Sequence, residues 1–402
     1  MKRIDVEKWL IEYFGKGYAH RFIINEDLSV DVTGHVDLRG FNLSGIPIKF
    51  GIVDGDFMCS DNNLVSLVGC PDRVMGSFWC HSNRLSSLLG CPVEIGRNFS
   101  CNDNRMVSLI GCAAVVGGNF DCSDNNLELL VGCAAVVGGN FDCYNNKLTS
   151  LLGCPKKVGD FNCSDNKLTS LGSCPSVVNG FFDCGYNKLL SLEGCPLKIG
   201  GNFDCGYNKL SSLDSCPVDI IGSFYCYENK ITSLIGCPVK VIGDFVCYKN
   251  KLTSLKGCPV GIGGNFHCGE NKLKSLEGCP VDIVGNFYCY ENKITSLIGC
   301  PVKVIGDFVC YKNKLTSLSV SSVEVGGDFD CGNNELASLE GYPISIGGDF
   351  LKLKNRLGDS ELFLYDYTLE QVRNYYENKN LNKGLQSDLS EEVKVELKKC
   401  KI

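Results

Sequence analysis

A 21-residue repeat constrains the fold of this chain more than any other feature of its sequence. The skeleton of the repeat is Phe-x-Cys-x-x-Asn-x-Leu-x-x-Leu-x-x-Cys-Pro, and the stretch from Gly201 to Pro217 shows all of it. Its first cysteine recurs from Cys59 to Cys331, with one shorter interval between Cys143 and Cys163. A fixed period of this length is typical of a solenoid, in which each coil contacts its neighbours. The 402 residues are therefore expected to form one array rather than two or three globular domains.

Within each repeat, Phe-x-Cys predicts one short parallel strand. Alternate strand residues point to opposite sides, so Phe and Cys are expected inside and the residue between them outside. An asparagine follows each of these cysteines by three residues, from Asn62 to Asn334. Because an amide both donates and accepts, we expect these side chains to bond coil to coil as an asparagine ladder. The glycines that follow the next Val or Ile are expected to form a corner with positive φ.

The 27 cysteines follow the repeat too closely to indicate a disulfide framework or a metal site. Fourteen lie in the strand, twelve lie eleven residues later, and Cys400 is outside the pattern. No Cys-x-x-Cys occurs, so the zinc signature is absent. Cysteines on adjacent coils would point the same way, which gives a poor disulfide torsion. We therefore predict a reduced cysteine ladder of core thiols, with no cofactor and no metal.

The two ends of the chain depart from the repeat. Apolar residues at helical spacing from Val6 to Phe14, ended by Gly15, predict a helix before two short strands. Thr368 and Gln371 form a capping-box pattern that opens a second helix, and Asp388 opens a third that ends near Lys399. The predicted segments are an N-terminal cap over 1–35, a solenoid over 36–357 and a C-terminal helical cap or appendage over 358–402.

Composition narrows the class of protein. The formal net charge of −7 disfavours binding to a phosphate backbone, which needs clustered Lys and Arg. No apolar run approaches the roughly 18 residues that cross a membrane. The N-terminus carries charges where a signal peptide needs an apolar segment. We therefore expect a soluble, cytoplasmic protein without a membrane partner.

The repeat resembles a known family. Phe-x-Cys-x-x-Asn-x-Leu-x-x-Leu matches five anchors of the leucine-rich repeat, with Phe and Cys in place of the two strand leucines. More closely, residues 20–357 look like the repeat of uncharacterised proteins from large tailed bacteriophages and some bacteria. The resemblance implies a β-rich, leucine-rich-repeat-like solenoid of fifteen or sixteen coils with helical caps. It also implies recognition of a protein, plausibly a host factor met in the host cytoplasm. The usual first Leu is absent and a Val or Ile one residue earlier replaces it, so the convex side is expected to differ.

The outward strand positions are the candidate partner-binding face. They are polar and acidic in the middle of the array and rich in tyrosine from about residue 225 to 311. Tyrosine is over-represented in binding hot spots, but it also fits a strand surface simply to shield a sheet, so both interpretations stay open. The candidate residues are Trp79, Phe181, Tyr186, Tyr207, Tyr225, Tyr227, Tyr248, Tyr288, Tyr290 and Tyr311.

A second candidate surface is a lysine ridge four residues after the strand cysteine, from Arg84 to Lys314. It makes a nucleic-acid-associated protein, or a polyanion mimic built on the aspartates, the alternative function. Glu228, Glu270 and Glu291 lie two residues before lysines, which favours a solvated ridge that compensates its own charge.

Evidence for catalysis is weak in the sequence. His20, His35, His81 and His267 show no recognised spacing to a cysteine or carboxylate, and no phosphate loop or nucleophile elbow occurs. Cys400, beside lysines that lower a thiol pKa, leaves an enzyme built on the C-terminal tail as a further alternative. We expect a protein that is not an enzyme.

Overall fold

A computed structural model describes residues 1–318 and 322–383, apart from the side chains at 18 and 19. The helix predicted from Asp388 and the thiol of Cys400 lie outside the described residues. The chain divides into two compact units, Met1–Asn250 and Lys251–Ile402. Each unit is a parallel β-solenoid, as the repeat predicts.

Each coil contributes two short strands, although the sequence predicts one. The first begins at the repeat phenylalanine and belongs to what we call the phenylalanine sheet; the second ends at Val or Ile and belongs to the valine sheet. In the second strand the first residue is exposed and the Val or Ile is buried, as in Val115–Val116. The Val or Ile before each corner therefore belongs to the core, and in most coils its strand pairs with that of the next coil.

In unit 1 the strands of the phenylalanine sheet pair in register, with Phe203 opposite Phe224. The strands are Val36–Asp37, Phe57–Met58, Phe78–Trp79, Phe99–Ser100, Phe120–Asp121, Phe141–Asp142, Phe161–Asn162, Phe182–Asp183, Phe203–Asp204, Phe224–Tyr225 and Phe245–Val246.

The valine sheet of unit 1 is interrupted. Its first part runs through Phe22–Ile24, Val30–Val32, Phe50–Val53, Arg73–Val74, Glu94–Ile95, Val115–Val116 and Val136–Val137, and its first pair is antiparallel. The second part runs through Lys157–Val158, Val177–Val178, Lys198–Ile199 and Asp219–Ile220, and Lys240–Val241 follows. The first interruption falls in the short coil, where only Gly159 and Asp160 separate Val158 from Phe161.

Unit 2 repeats the arrangement. Its phenylalanine-sheet strands are Phe266–His267, Phe287–Tyr288, Phe308–Val309, Phe329–Asp330 and Phe350–Leu351. Its valine-sheet strands are Gly261–Ile262, Asp282–Ile283, Lys303–Val304, Glu324–Val325 and Ser345–Ile346.

The interior is a stack of phenylalanine rings beside a column of thiols. Phe203 and Phe224 stack with ring centroids 5.5 Å apart, and Cys205 between the sheets is fully buried. All 26 cysteines of the described residues are free. Burial raises the pKa of the strand thiol of Cys205 well above its ordinary value, and it raises the pKa of Cys112, one of the second set of cysteines, to about 12, so these groups stay thiols near neutral pH. The column is therefore apolar packing, as the sequence predicts.

The repeat asparagines join coils through the backbone. The Asn208 amide donates to the carbonyls of Cys184, Cys205 and Gly206 at 3.0–3.2 Å. Its oxygen accepts from the Leu189 amide of the preceding coil at 2.9 Å. One side chain thus satisfies four backbone groups of a turn that faces the interior.

A second side-chain column, which the sequence analysis missed, lies three residues before the strand cysteine. There the oxygen of an Asp, Asn or Ser accepts the backbone amide of the next coil. Asn98 accepts from Asn119, and Asn119 accepts from Asn140, both at 2.9 Å. Phe181 takes this position in its own coil and, having no side-chain acceptor, interrupts the column.

The prediction of positive φ at the glycines after Val or Ile is wrong. Within the repeat, the left-handed glycines are those that directly precede the second cysteine or its replacement, such as Gly90 with φ 91°. The glycines after Val are needed for close approach instead. A Cβ on Gly117 would lie 2.2 Å from the carbonyl oxygen of Gly96 in the preceding coil.

Helical segments lie at both termini. The N-terminal helix Arg3–Phe14 ends at Gly15, whose φ is 73°, and Trp9 packs edge-on against Phe50. Short 3-10 helices span Lys16–His20 and Asp359–Asp366. Residues 369–383 are helical and follow the predicted capping box, in which the Gln371 amide donates to Thr368 Oγ1 at 3.3 Å.

At the last coil, Lys352 takes the place of the strand cysteine. Its ammonium donates to the carbonyl of Tyr367 at 2.8 Å and lies 5.0 Å from the Phe350 ring centroid. Burial lowers the pKa of Lys352. A cation in the thiol column therefore holds the C-terminal segment against the final coil.

Candidate binding surface

Tyrosines form a continuous aromatic row on the outward face of unit 1. We call Tyr186, Tyr207, Tyr227 and Tyr248 the tyrosine row. Tyr186 and Tyr207 stack with centroids 4.2 Å apart, Tyr207 meets Tyr227 edge to face at 5.4 Å, and Tyr227 stacks on Tyr248 at 5.1 Å. These separations lie within the range of favourable aromatic pairs. The structure therefore brings together four of the predicted candidates.

Glycines make room for the row. In two successive coils the residue after the strand cysteine is glycine, and a Cβ on Gly206 would lie 2.7 Å from the Tyr227 ring. The tyrosine of those coils sits one residue later. There Tyr186 has φ 52° and Tyr207 has φ 51°, where most coils carry Asp, Asn, Ser, Glu or Lys. For a bulky side chain this left-handed conformation is a genuine outlier.

An aspartate column, defined as Asp121, Asp142, Asp183 and Asp204, adjoins the tyrosine row. Asp183 and Asp204 pair in register, and the Tyr227 hydroxyl donates to Asp204 Oδ2 at 3.3 Å. Burial raises the pKa of Asp142 to about 7, helped by neighbouring aspartates, and burial raises the pKa of Asp204 to about 6. Burial also raises the pKa of Asp183. Asp142, Asp183 and Asp204 are thus partly buried, and none of them forms an ion pair with a described residue.

The aspartates also have a local structural role. Asp204 Oδ1 accepts the backbone amide of Gly206 at 2.7 Å, and Asp183 accepts that of Gly185 at 2.8 Å. Each carboxylate therefore closes the turn after its own strand, and Asp204 uses its second oxygen to accept the Tyr227 hydroxyl. The sequence predicted an acidic outward position here, but not this turn-closing hydrogen bond.

Unit 2 carries its own aromatic cluster. Tyr290 stacks on Tyr311 at 4.8 Å, and His267 lies 5.3 Å from Tyr288 and 5.2 Å from Tyr290. Burial lowers the pKa of His267 to about 4, so the imidazole is neutral near pH 7. Lys312 lies 5.8 Å from the Tyr311 ring centroid and pairs with Glu291 at 2.8 Å. This cluster holds three of the predicted candidate tyrosines.

The remaining candidates lie elsewhere on unit 1. Trp79 pairs in register with Met58 and Ser100, many coils before the tyrosine row. Tyr225 is half-buried opposite Asp204, on the same strand face as the aspartate column. Phe181 lies at the corner before its strand, where its amide donates to Asp160 Oδ1 at 2.9 Å. The structure thus does not bring Trp79 or Phe181 to the tyrosine row.

The lysine ridge does not compensate its charge in the predicted way. Glu228 pairs with Lys249 at 2.7 Å and Glu291 with Lys312 at 2.8 Å, in both cases a side chain of the next coil. Side chains at equal positions on adjacent coils lie closer than residues two apart on one turn. Among the described residues the ridge lysines themselves form no ion pair.

The structure does bring one histidine to a carboxylate. His35 Nδ1 lies 3.1 Å from Asp56 Oδ2 and accepts the Asp56 amide at 2.9 Å. These residues are neighbours on adjacent coils and continue the Asp, Asn or Ser column, so the contact has a structural role. Within 1–318 and 322–383, no group of three or more His, Cys, Asp or Glu side chains is placed to hold a metal ion. In the same residues, no helix has the length and apolarity to cross a bilayer.

Stacked parallel strands, repeat asparagines and an outward strand face define a leucine-rich-repeat-like solenoid with a cysteine ladder. Among solved structures, YopM from Yersinia enterocolitica WA-314 is similar, with a TM-score of 0.60 and 19% identity over 82% of this chain and 77% of that chain. This likeness shows the fold. No family model matches the chain, and no curated protein matches it.

Two further solved structures are similar at lower scores. One is YopM of Yersinia pestis, described as a leucine-rich effector protein, with a TM-score of 0.46 and 18% identity over 80% of this chain and 84% of that chain. The other is the functional domain of InlJ from Listeria monocytogenes, described as including a cysteine ladder. Its TM-score is 0.41, with 18% identity over 68% of each chain.

Proposed function

We propose that this chain is a non-enzymatic scaffold that binds a protein through the outward face of the phenylalanine sheet, with the tyrosine row of unit 1 at the contact. One observation carries the proposal. Tyr186 and Tyr207 keep large exposed rings at left-handed positions, at a cost of roughly 1–2 kcal/mol each. Asp and Asn, whose side chains tolerate the left-handed backbone, occupy this position in other coils at a lower cost, so folding alone does not require tyrosine there.

The neighbouring charges indicate the chemistry of the partner. The aspartate column flanks the row and holds carboxylates whose pKa burial raises, as in Asp142 and Asp204. A cationic side chain of a partner would relieve the repulsion between them. We therefore propose a partner surface in which Arg or Lys lies beside apolar side chains that contact the rings.

The resemblance of the repeat to those of large tailed bacteriophages supports a host protein as this partner, met in the host cytoplasm. The near-identity of 217–256 and 280–319 supports selection for surface area, because such a copy lengthens the array by three coils.

The experiment is quantitative capture of host proteins on the immobilised chain. The variant Y186N/Y207N removes both rings and keeps a residue type that tolerates the left-handed backbone. The matched control is D103N, at the same repeat position in an earlier coil, where φ is 50°. We expect a partner that the wild type and D103N retain and Y186N/Y207N loses. Equal capture by all three chains would refute the tyrosine row as the contact.

The lysine ridge supports a second candidate, a nucleic-acid-associated role. In unit 1, Lys167, Lys188 and Lys209 follow one another on adjacent coils, are exposed and form no ion pair with a described residue. Fluorescence anisotropy with a labelled single-stranded oligonucleotide, titrated with salt, decides between the two roles. This role requires binding that weakens steeply with salt and that K188E/K209E abolishes.

A further inference from the structure

A groove of about 1110 Å³ lies on the valine side of unit 1, away from the tyrosine row. We call it the valine-side groove. Two columns of apolar side chains line it, one directly after the repeat proline and one after the buried residue of the strand. Leu197 and Val239 of the first column are 71% and 73% exposed. The main apolar lining residues are Val177, Leu197, Val218, Ile221, Val239 and Ile242.

The groove lies where the valine sheet opens. The Val218 amide still donates to the Leu197 carbonyl at 3.0 Å. On the next coil, however, Asp219–Ile220 and Lys240–Val241 are not hydrogen-bonded neighbours, although all of 174–242 is described. At the same repeat position in an earlier coil, the Val93 amide donates to Asp72 at 2.9 Å and the sheet is closed. Exposed valines recur along the array, but in this stretch they lie beside two coils whose valine-sheet strands are not paired, although the Gly243 amide still donates to the Gly222 carbonyl at 3.1 Å.

Two of the coils that line the groove carry a strained backbone position. Ser173 and Ser215 have φ 67° and 64° at a position that is glycine in most coils. Both lie in coils that line the groove. Non-glycine residues held in the left-handed region cluster at ligand sites, where the surrounding structure offsets their cost.

A row of alternating charges runs along the groove. Lys198, Asp219 and Lys240 occupy equal positions on successive coils. Lys198 Nζ lies 3.0 Å from Asp219 Oδ2, whereas Lys240 is exposed and forms no ion pair with a described residue. One cation therefore remains uncompensated beside the apolar columns, and an acidic side chain complements it.

The distance between neighbouring coils favours a helix over an extended peptide as the bound segment. Neighbouring coils lie about 4.8 Å apart along the sheet. An α-helix laid along the array advances about 5.4 Å per turn, so residues at i, i+4 and i+7 fall against successive coils. An extended peptide in the same direction repeats its side chains every 6.6 Å or so and loses register within two coils.

We propose that the valine-side groove binds an amphipathic helix of a partner protein, with its apolar stripe on the two columns and an acidic residue against Lys240. This is a binding surface separate from the tyrosine row. In this type of recognition, an amphipathic helix lies in an apolar groove and contacts it through side chains one turn apart.

The test uses the full chain and synthetic helical peptides of about fourteen residues, which span roughly four turns. One peptide has a leucine stripe flanked by glutamates, the second has lysines in place of the glutamates, and the third has the first composition in scrambled order. Binding is measured by fluorescence anisotropy. We expect the glutamate-flanked helix to bind most tightly.

Variants locate the binding. V218D and V239D are expected to weaken binding of the glutamate-flanked helix at least about tenfold, whereas V93D, at the same repeat position beside a closed sheet, leaves it unchanged. K240E, an exposed charge reversal that spares the apolar columns, should reverse the preference toward the lysine-flanked helix. The proposal is overturned by equal binding of the scrambled peptide, by equal loss in V93D, or by no reversal in K240E. It is also overturned if dodecanoate displaces the peptide with higher affinity, or if V218D instead dissociates a dimer of this chain.

Discussion

Tyr186 stacks on Tyr207 at a centroid separation of 4.2 Å while both residues hold a left-handed backbone. An offset aromatic pair contributes about 0.5–1.5 kcal/mol, and the left-handed conformation costs roughly 1–2 kcal/mol for each residue. The stack therefore does not offset the strain of the two residues that form it. Strain retained at an exposed site, on rings that few neighbours bury, is the pattern expected of a recognition surface rather than of packing.

Replacing the outer tyrosine should stabilise the protein. Tyr186 has one ring contact in the row, and Asn145 and Asn333 occupy its repeat position with φ 48° and 52°. We expect Y186N to raise the free energy of unfolding by about 0.5–1 kcal/mol, measured from the urea midpoint.

The control is Y144N, at a repeat position without positive φ. It removes a tyrosine without relieving strain, so no gain is expected there. A loss of stability in Y186N comparable with that in Y144N would show that the ring contributes more than the backbone costs.

Replacing a buried repeat asparagine should lower the free energy of unfolding far more than replacing the residue next to it. Asn125 donates to the carbonyls of Cys101, Cys122 and Ser123 and accepts the amide of Met106. N125A leaves these groups without a partner in the interior, so we expect a loss of about 2–4 kcal/mol. The next residue provides the control, because Asn126 is half-buried at the surface and N126A should stay within about 0.5 kcal/mol of wild type. Similar midpoints for the two variants would contradict the structural role of the amide.

The sequence predicts the interior far better than the surface. Phe203 repeats with fixed spacing because it stacks on Phe224 of the adjacent coil, and Asn208 does so because it bonds the backbone of the preceding coil, so the pattern records the packing directly. The second strand escaped prediction because its signal is a single buried Val or Ile, which a corner also accommodates. The role of Gly117 was misassigned because glycine at a close approach and glycine at positive φ are the same letter.

The surface depends on details that the repeat does not encode. Glu228 pairs with Lys249 rather than Lys230 because the neighbouring coil is closer than the next turn of the same coil. The assembly of the tyrosine row requires Gly206, a residue that by itself gives no indication of binding. The missing strand pairing between Ile220 and Val241 has no counterpart in the repeat pattern, because the near-identical strands Asp282–Ile283 and Lys303–Val304 do pair.

The aspartate column should make stability depend on pH. Burial raises the pKa of Asp142 from the ordinary value of 3.8 to about 7, so the folded state favours the protonated form. The contribution of Asp142 to the free energy of unfolding is therefore neutral below about pH 4 and becomes increasingly destabilising as the pH rises toward 7. D142N removes this penalty and keeps an oxygen for the Tyr144 amide, as Asn162 does for Ser164 in the next coil.

We expect D142N and wild type to have equal urea midpoints near pH 4. At pH 8 the variant should be more stable by about 1–2 kcal/mol, after allowance for solvent screening. Urea titrations across this range measure the difference. A constant gap at all pH values would show that the carboxylate does not titrate in this window.

The final coil should depend on one tyrosine hydroxyl. Tyr376 Oη accepts the backbone amide of Leu339 at 2.9 Å and donates to Glu361 Oε2 at 2.6 Å, and both Tyr376 and Glu361 are buried. Among the described contacts, Tyr376 Oη is the group that accepts the Leu339 amide, so Y376F leaves that amide without a partner. The substitution also removes one hydrogen bond from Glu361 Oε2. Because buried polar groups without partners are costly, we expect unit 2 to lose about 1–3 kcal/mol.

Hydrogen exchange tests this prediction at the residue concerned. In Y376F the amide of Leu339 should exchange faster, and the change should extend over 359–376, because Glu361 holds that segment through Tyr376 and Lys379. Y342F is the matched control, since Tyr342 packs against Tyr376 with centroids 6.4 Å apart and no hydrogen bond of its hydroxyl is part of this network. Unchanged exchange at Leu339 in Y376F, or an equal effect in Y342F, would show that ring packing rather than the hydroxyl closes the end of the solenoid.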